Sequence, residues 1–456
     1  MGQAIGLQAA LLPVPYQEAF SGIFDQAPTV PMTEVQETLE REFGKKADEL
    51  FDDFDPVPVA SASIGQVHRA KLNGQDVAVK VQKRAISKQV RRADVSQQME
   101  QETDFHREAR NAERAAEDFR SDPWLRSRIY VPKVYWERTS TRVMTAEWIG
   151  NASRLTDTSA IERRGFDTKE VMGKASCFRL HLLAETIIDT VISALSAQMF
   201  VFGFLHCDPH PGNVLIRPHP QDPRRHQTVL IDHGLYVELR PEFREQYADL
   251  WRSLLQGDLS MGFDPSSGNM FASAILLRPT RMRKKFTAAV KDAKLEEQTE
   301  LTPEEEKKLK FERHQAIKAR FKTFMLNEDL IPRELIFIGR VQRMMQANNQ
   351  TLGSPSNRIN LTAKWSLIGL QTSLPPLSAA WRGGAEPFFK QIVALVVFRV
   401  SLALIDISFR LTRLRQWWIG SLKRKGSGFE DLLDKQVRDL AKSELGVELH
   451  ENAFIG

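Results

Sequence analysis

Cysteine is nearly absent: the 456 residues include two, Cys177 and Cys207. Two thiols cannot build a disulfide framework or a multi-cysteine zinc site, and they suit a reducing compartment. Charge of one sign is also scarce. Lys and Arg number 63 against 58 Asp and Glu, leaving +5 at neutral pH, too small an excess at this length to point to nucleic acid. A long unbroken apolar run is lacking as well; Ile392 to Phe409 comes nearest, and Arg399 and Asp406 interrupt it. There is no internal repeat and no low-complexity tract. Met1-Gly2-Gln3-Ala4 leads directly into amphipathic sequence, without the basic start and apolar centre of a secretory signal. What remains is ordinary globular usage, 42% hydrophobic and 27% charged, which excludes a disordered or fibrous chain. The length allows two or three domains at roughly 150 residues each.

The periodicity changes along the chain. Residues 1–55 read as helices broken at Pro13, Pro15, Pro28 and Pro31, with Thr33-Glu34-Val35-Gln36 as a capping signal before Leu39 and Phe43. Residues 56–150 read as a strand-rich unit. Ile64–Ala70 and Val77–Val81 alternate, and Asn73-Gly74 between them is a hairpin turn. A charged helix is expected from about Ser87 to Arg120, then strands between Tyr130 and Glu147. Residues 151–350 are mostly helical, with a long apolar helix over Leu180–Phe202. Within them, Val214–Ile216 and Thr228–Ile231 are short strands flanking a polar loop, Arg217–Gln227. Thr302-Pro303-Glu304-Glu305 opens a further helix. Residues 351–456 form a C-terminal helical region. The order is helices, a strand-rich unit, then a helix-rich unit, which is α+β organisation in two lobes.

The chemistry sits in His206-x-Asp208-x-x-x-x-Asn213, followed after an apolar strand by Asp232-His233-Gly234. Phosphoryl transfer asks for alignment and charge neutralisation more than covalent chemistry. One carboxylate must face the attacking hydroxyl, and an amide oxygen with a second carboxylate must hold Mg²⁺ on the phosphates. The spacing is that of a kinase catalytic loop and its later Asp-x-Gly. Upstream, Val77-Ala78-Val79-Lys80 matches the strand that presents a lysine to the α/β-phosphates, with a small residue at 78 leaving room for an adenine ring. Glu108, on the following helix, is the candidate partner of Lys80. Taken singly, each piece has a plainer reading. Lys80 reads as a solvated edge residue, Asp208 as a turn cap, His206-x-Asp208-x-His210 as metal ligands, and Asp232 before Gly234 as a turn pair. Their order along the chain favours the kinase reading.

At these residues the chain resembles the atypical kinases of the UbiB/AarF-domain family, from Gly2 to about Asn348. The resemblance implies a bilobal protein-kinase-like α+β fold with a helical N-terminal extension, and ATP and Mg²⁺ as cofactors. The family replaces the Gly-rich loop with an Ala-rich one, which Ala60-Ser61-Ala62-Ser63 fits; side chains there restrict backbone approach to phosphates. Ala60, Ser61, Ala62, Ser63, Ala78, Lys80, Glu108 and Glu147 are then the nucleotide-binding set. Glu147 lies in Thr145-Ala146-Glu147-Trp148-Ile149, which looks like the family's hinge. Lys80 and Asp208 are the catalytic pair, and Asn213 and Asp232 the metal ligands. The family's Glu-x-Asp element falls on Glu102 and Asp104.

The match is incomplete in two places. Of the family's Lys-x-Gly-Gln signature only Gly2 and Gln3 are present, so the expectation is a chain that starts late and lacks its targeting segment. Between Lys80 and Glu102 the family's longer helical insertion is missing, consistent with a mis-joined exon. The wording Leu205–His210 is most similar to the mitochondrial branch linked to lipid homeostasis.

In the 392–418 stretch, Arg399, Asp406, Arg410 and Arg413 share one face at 3.6 residues per turn. The favourable insertion of the apolar residues and the cost of about 2.5–3.5 kcal/mol per central charge nearly cancel. This predicts an amphipathic helix on a membrane surface or on the protein's own body, with Trp417, Trp418 and Lys423-Arg424-Lys425 suited to an interface. Three functions stand from the sequence: a UbiB-type ATPase or phosphotransferase supporting mitochondrial lipid or ubiquinone homeostasis, a nucleotide-gated scaffold or lipid-handling protein, and a small-molecule kinase.

Overall fold

The computed structural model describes residues 28–61, 64–84, 103–157, 160–161, 174–256, 333–352 and 354–373. Within 393–411 it describes all but 394–395, 401 and 408. Ala62, Ser63, Glu102, the Gly2-Gln3 signature, the helix start at Thr302 and the Trp417–Lys425 stretch lie outside the described residues. The chain divides into two compact units. One comprises residues 1–239, 340–356 and 452–456, the other 240–339 and 357–451.

In the first unit, helices α1 (Met32–Phe43) and α2 (Ala47–Leu50) precede the strands. In chain order these are β1 (Asp53–Phe54), β2 (Ala60–Ser61), β3 (Gly65–Leu72), β4 (Gln75–Gln82), β5 (Ile129–Tyr130), β6 (Val143–Glu147), β7 (Ser153–Arg154), β8 (Phe204–His206), β9 (Val214–His219), β10 (Asp222–Leu230) and β11 (Tyr236–Glu238). The larger sheet runs β1-β3-β4-β6 with β2 on β3, the second β5-β10-β9-β7, and β11 pairs β8.

Strands β3 and β4 pair antiparallel from Gly65↔Gln82 to Leu72↔Gln75, leaving a two-residue turn. Asn73 and Gly74 both take positive φ, 51° and 73°, the turn whose twist matches that of the strands. Alternation then sorts β4. Val77, Val79 and Val81 pack with Val143 against Val35 and Leu39 of α1, each buried aliphatic contributing about 1.5–3 kcal/mol. Ala78 and Lys80 point the other way.

Helix α3 (Phe105–Ser121) begins where Asp104 Oδ1 accepts the His106 amide at 3.0 Å, an N-cap bond that satisfies one orphan donor. Its buried stripe is Phe105, Glu108, Ala109, Asn111, Ala112, Ala115 and Phe119. Glu108 and Asn111 are the two polar members, and both face the site described below. Gly65 is required where β3 passes α3: a Cβ there would meet the Val81 carbonyl oxygen at 2.9 Å and the Phe105 ring at 3.3 Å.

Helix α4 (Lys174–Ala197) widens into a π-helical turn, Gln198–Phe202, closed by left-handed Gly203 at φ 71°. The turn places Gln198 Oε1 3.1 Å from the His206 amide, so the helix end sets the start of the 206–213 loop. The polar loop expected over Arg217–Gln227 is instead largely strand: β9 and β10 pair Arg217↔Gln227 and Pro218↔His226. Arg217 Nε and Nη2 both donate to Gln227 Oε1, at 3.0 and 2.9 Å. A cross-strand side-chain pair thus extends the ladder into residues whose Pro and His content signals a loop.

Residues 340–351 of helix α6 (Arg333–Thr351) belong to the first unit. In the second, helix α5 (Pro241–Gln256) packs along α7 (Arg358–Ser373). Asn360 Nδ2 donates to Asp406 Oδ1 at 3.0 Å. Between 393 and 411, Phe398, Leu402 and Phe409 are buried, while Val393, Val400, Leu404, Ile407 and Leu411 are exposed. Among the described residues no helix is long and apolar enough to cross a membrane.

Candidate active site

Lys80 and Glu108 form the centre. Lys80 Nζ donates to both Glu108 oxygens, at 2.7 and 2.8 Å, and lies 5.0 Å from the Phe105 ring centroid. The side chains are 16% and 3% exposed. Burial pushes the Glu108 carboxyl above its ordinary range; the Lys80 ammonium opposes this, and the charge of Asp232 adds to the rise. Asp232 stands just past β10, with Oδ2 4.0 Å from Lys80 Nζ. Its Oδ1 accepts the Gly234 amide at 3.1 Å. Burial acts upward on Asp232, but Lys80, the Gly234 amide, His206 and His233 together hold it below the usual carboxylate range.

The Asp232-His233-Gly234 segment is pinned from three sides. Asn111 Nδ2 donates to the His233 carbonyl at 2.9 Å. His233 Nε2 bonds the Leu230 carbonyl at 3.1 Å, and Nδ1 bonds the Tyr236 hydroxyl at 2.9 Å. A carbonyl only accepts, so Nε2 carries the proton and Nδ1 accepts from Tyr236. Burial lowers His233 to about 3 and His206 to about 4, so both rings are neutral at physiological pH. His206 stacks on Tyr236 at 4.9 Å. Among the described residues no group of three or more His, Cys, Asp or Glu side chains is placed to hold a metal ion.

The 206–213 loop is built from short backbone bonds. His210 N donates to Asp208 O and Asn213 N to His210 O, each at 2.8 Å. The Asn213 carbonyl accepts the Ile231 amide at 3.1 Å, which sets the Asn213 backbone against the residue before Asp232. The amide and carboxylate of these two residues are hard oxygen donors, a set that fits Mg²⁺ shared with phosphates and water. Burial raises Asp208 above its ordinary range; Arg340 opposes that and Asp232 adds to it. Cys207, buried, has its thiol pushed up to about 12, which removes it as a nucleophile at neutral pH.

Other sequence candidates lie on strands. Ala78 pairs with Ala146 on β6 and Arg69 on β3. Ala60 and Ser61 form β2, opposite Val67 and Gln66. Ser61 Oγ donates to the Pro28 carbonyl at 3.3 Å. Glu147 ends β6 with its carboxylate accepting from the Tyr130 hydroxyl and 3.9 Å from Arg217.

Four residues escape motif reading: Asn111, Tyr236, Arg340 and Asn348. Arg340 Nη2 donates to Asp208 Oδ1 at 2.9 Å from 132 positions away, and Asn348 Nδ2 to the Pro209 carbonyl at 3.0 Å. The available signal was the set of amides along α6, where Gln342, Gln346, Asn348 and Asn349 are buried. Buried amides at helical spacing call for polar partners.

The pattern of the ABC1 atypical kinase-like domain matches residues 22–96 and 91–261. An ABC1 family protein of Purpureocillium lilacinum is 33% identical over 97% of this chain and 77% of its own. AarF domain-containing protein kinase 1 of Xenopus laevis is 32% identical over 57% of this chain and 50% of its own. A Mycobacterium tuberculosis protein, Rv3197, solved as its complex with erythromycin, superposes with a TM-score of 0.46 at 21% identity, covering 82% of this chain and 92% of that one.

Proposed function

The chain belongs to the ABC1 (UbiB/AarF) family of atypical kinases, and from that premise we propose that it binds Mg²⁺-ATP and transfers or hydrolyses the γ-phosphoryl group. The observation that carries the reading is the two-oxygen Lys80–Glu108 pair with Asp232 4.0 Å from the same ammonium. Lys80 neutralises the α/β-phosphates, and Glu108 holds Lys80 in place. Asp208 orients and deprotonates the attacking hydroxyl or water. Asn213 and Asp232 would hold Mg²⁺, which when bound would supply charge neutralisation at the phosphates. Ala78 leaves room for the adenine, and Ala60 to Ser63 with Glu147 border the nucleotide. The lobes of a kinase and its helical extension are the arrangement this reading expects.

Asp232→Asn removes the carboxylate charge, and Mg²⁺-ATP turnover is expected to vanish. Turnover at the wild-type rate refutes the assignment. Thermal stabilisation by Mg²⁺-ATP without phosphate release from the wild-type protein favours a nucleotide-gated scaffold instead.

The cellular role proposed is support of mitochondrial lipid or ubiquinone homeostasis at the inner membrane. The exposed aliphatic stripe from Val393 to Leu411 favours contact with a membrane surface. Co-sedimentation of the full chain with anionic vesicles, lost in Val400→Glu/Leu404→Glu, tests it. Unchanged binding by the variant removes the stripe from the reading.

A further inference from the structure

Asp208 is held by something no kinase motif contains. Arg340 and Asn348 are eight positions apart on α6, close to one helix face, and each bonds the 206–213 loop, one at the Asp208 carboxylate and one at the Pro209 carbonyl. The grip on Asp208 is one-sided: Arg340 engages Oδ1, and among the described residues Oδ2 accepts no hydrogen bond. The Asp208 side chain is 40% exposed, whereas that of Arg340 is 20% exposed. Arg340 Nε is buried without an acceptor among the described residues, and its charge joins burial in depressing the neighbouring Arg343. Orphaned donors and crowded like charges both oppose folding. Partly buried ion pairs are poor stabilisers compared with apolar packing, so stability alone does not account for a guanidinium here.

We infer that Arg340 is a positioning residue for phosphoryl transfer, fixing the Asp208 carboxylate through Oδ1 so that Oδ2 is presented to the attacking hydroxyl or water. The inference rests on the kinase reading above. In that role Arg340 touches neither nucleotide nor acceptor. It removes the carboxylate's rotational freedom and leaves one oxygen with a single task. A planar fork on a helix does this better than a flexible ammonium.

The test uses the full chain and Mg²⁺-ATP turnover. Arg340→Ala should lower kcat on the order of 100-fold, the scale of a reacting group misplaced by an ångström, with KM for ATP nearly unchanged. Millimolar guanidinium ion should restore turnover in Arg340→Ala but not in Asp208→Asn, and Arg340→Lys should fall between. A second measurement is independent of activity: in a stability cycle, Arg340→Ala and Asp208→Asn together should cost less than the sum of the single changes.

Increased turnover in Arg340→Ala would mean the guanidinium plugs the site, and overturns the inference. So does a loss that guanidinium fails to rescue, which marks a purely structural role, or an additive cycle. Active wild type with unchanged Arg340→Ala defeats this inference alone. A wild type without turnover defeats the kinase reading beneath it.

Discussion

Replacing Lys80 by Met makes the stability of the protein fall with rising pH, and the size of the fall follows from the burial of Glu108. In the native protein the carboxylate is 3% exposed and both its oxygens face the ammonium. Methionine fills the stem's volume and removes the charge, leaving Glu108 buried without its cation. Its pKa is already raised by burial against the pull of Lys80; without Lys80 it rises further. A carboxyl whose folded pKa exceeds its unfolded value of about 4.3 binds more protons when folded. Its stabilisation is therefore complete below the unfolded pKa and is lost as pH climbs through the folded one. Near pH 5 the variant should lose only the hydrogen bonds, about 1–2 kcal/mol. Near pH 8 it should approach the cost of an unpaired buried charge, about 3–5 kcal/mol. The limiting slope for one proton is about 1.36 kcal/mol per pH unit. Urea unfolding of wild type, Lys80→Met, Glu108→Gln and the double variant at several pH values measures this, each difference taken against wild type at the same pH. Glu108→Gln and the double variant carry no titrating group at 108 and should show no such trend. An equal loss by Lys80→Met at pH 5 and pH 8 refutes the account, because the carboxyl would then not sense its burial.

Gly65→Ala places a Cβ 2.9 Å from the Val81 carbonyl oxygen and 3.3 Å from Phe105; backbone cannot yield cheaply, so a loss of about 1–3 kcal/mol is expected by thermal unfolding. Asn111→Ala strips the donor from the His233 carbonyl and should cost about 1–3 kcal/mol, with ATP binding by calorimetry weakened as the Asp232 segment loosens. Cys207, its thiol pushed up to about 12, should resist alkylation at pH 8 in the folded protein and react after denaturation, as peptide mass spectrometry would show.

The sequence was most legible where local rules act alone. Asn73-Gly74 needs only a turn that accepts two positive φ values, and β3 and β4 follow from alternation on either side. The contact of Lys80 with Glu108 was legible from the order of the motifs, because a kinase-like strand lysine calls for a carboxylate on the helix that follows it. The Arg217–Gln227 stretch was misleading for the opposite reason. Its strand character comes from a cross-strand bond between its two ends, while Pro218, Pro220 and Pro223 within it signal a loop. Arg340 was illegible from spacing, since its partner lies 132 positions earlier and the pairing exists only after α6 docks. The two matched stretches of the family pattern share residues 91–96.

The bonds tying residues 204–213 to 231–238 have a mechanical consequence. Cys207 N bonds the Leu235 carbonyl, Ile231 N bonds the Asn213 carbonyl, and β8 pairs β11 from Phe204↔Glu238 to Tyr236↔His206, with three aromatic rings stacked over the join. Laced at so many points, the two stretches translate as a single plate. Asp208 and Asp232 then keep their separation through any opening or closing motion.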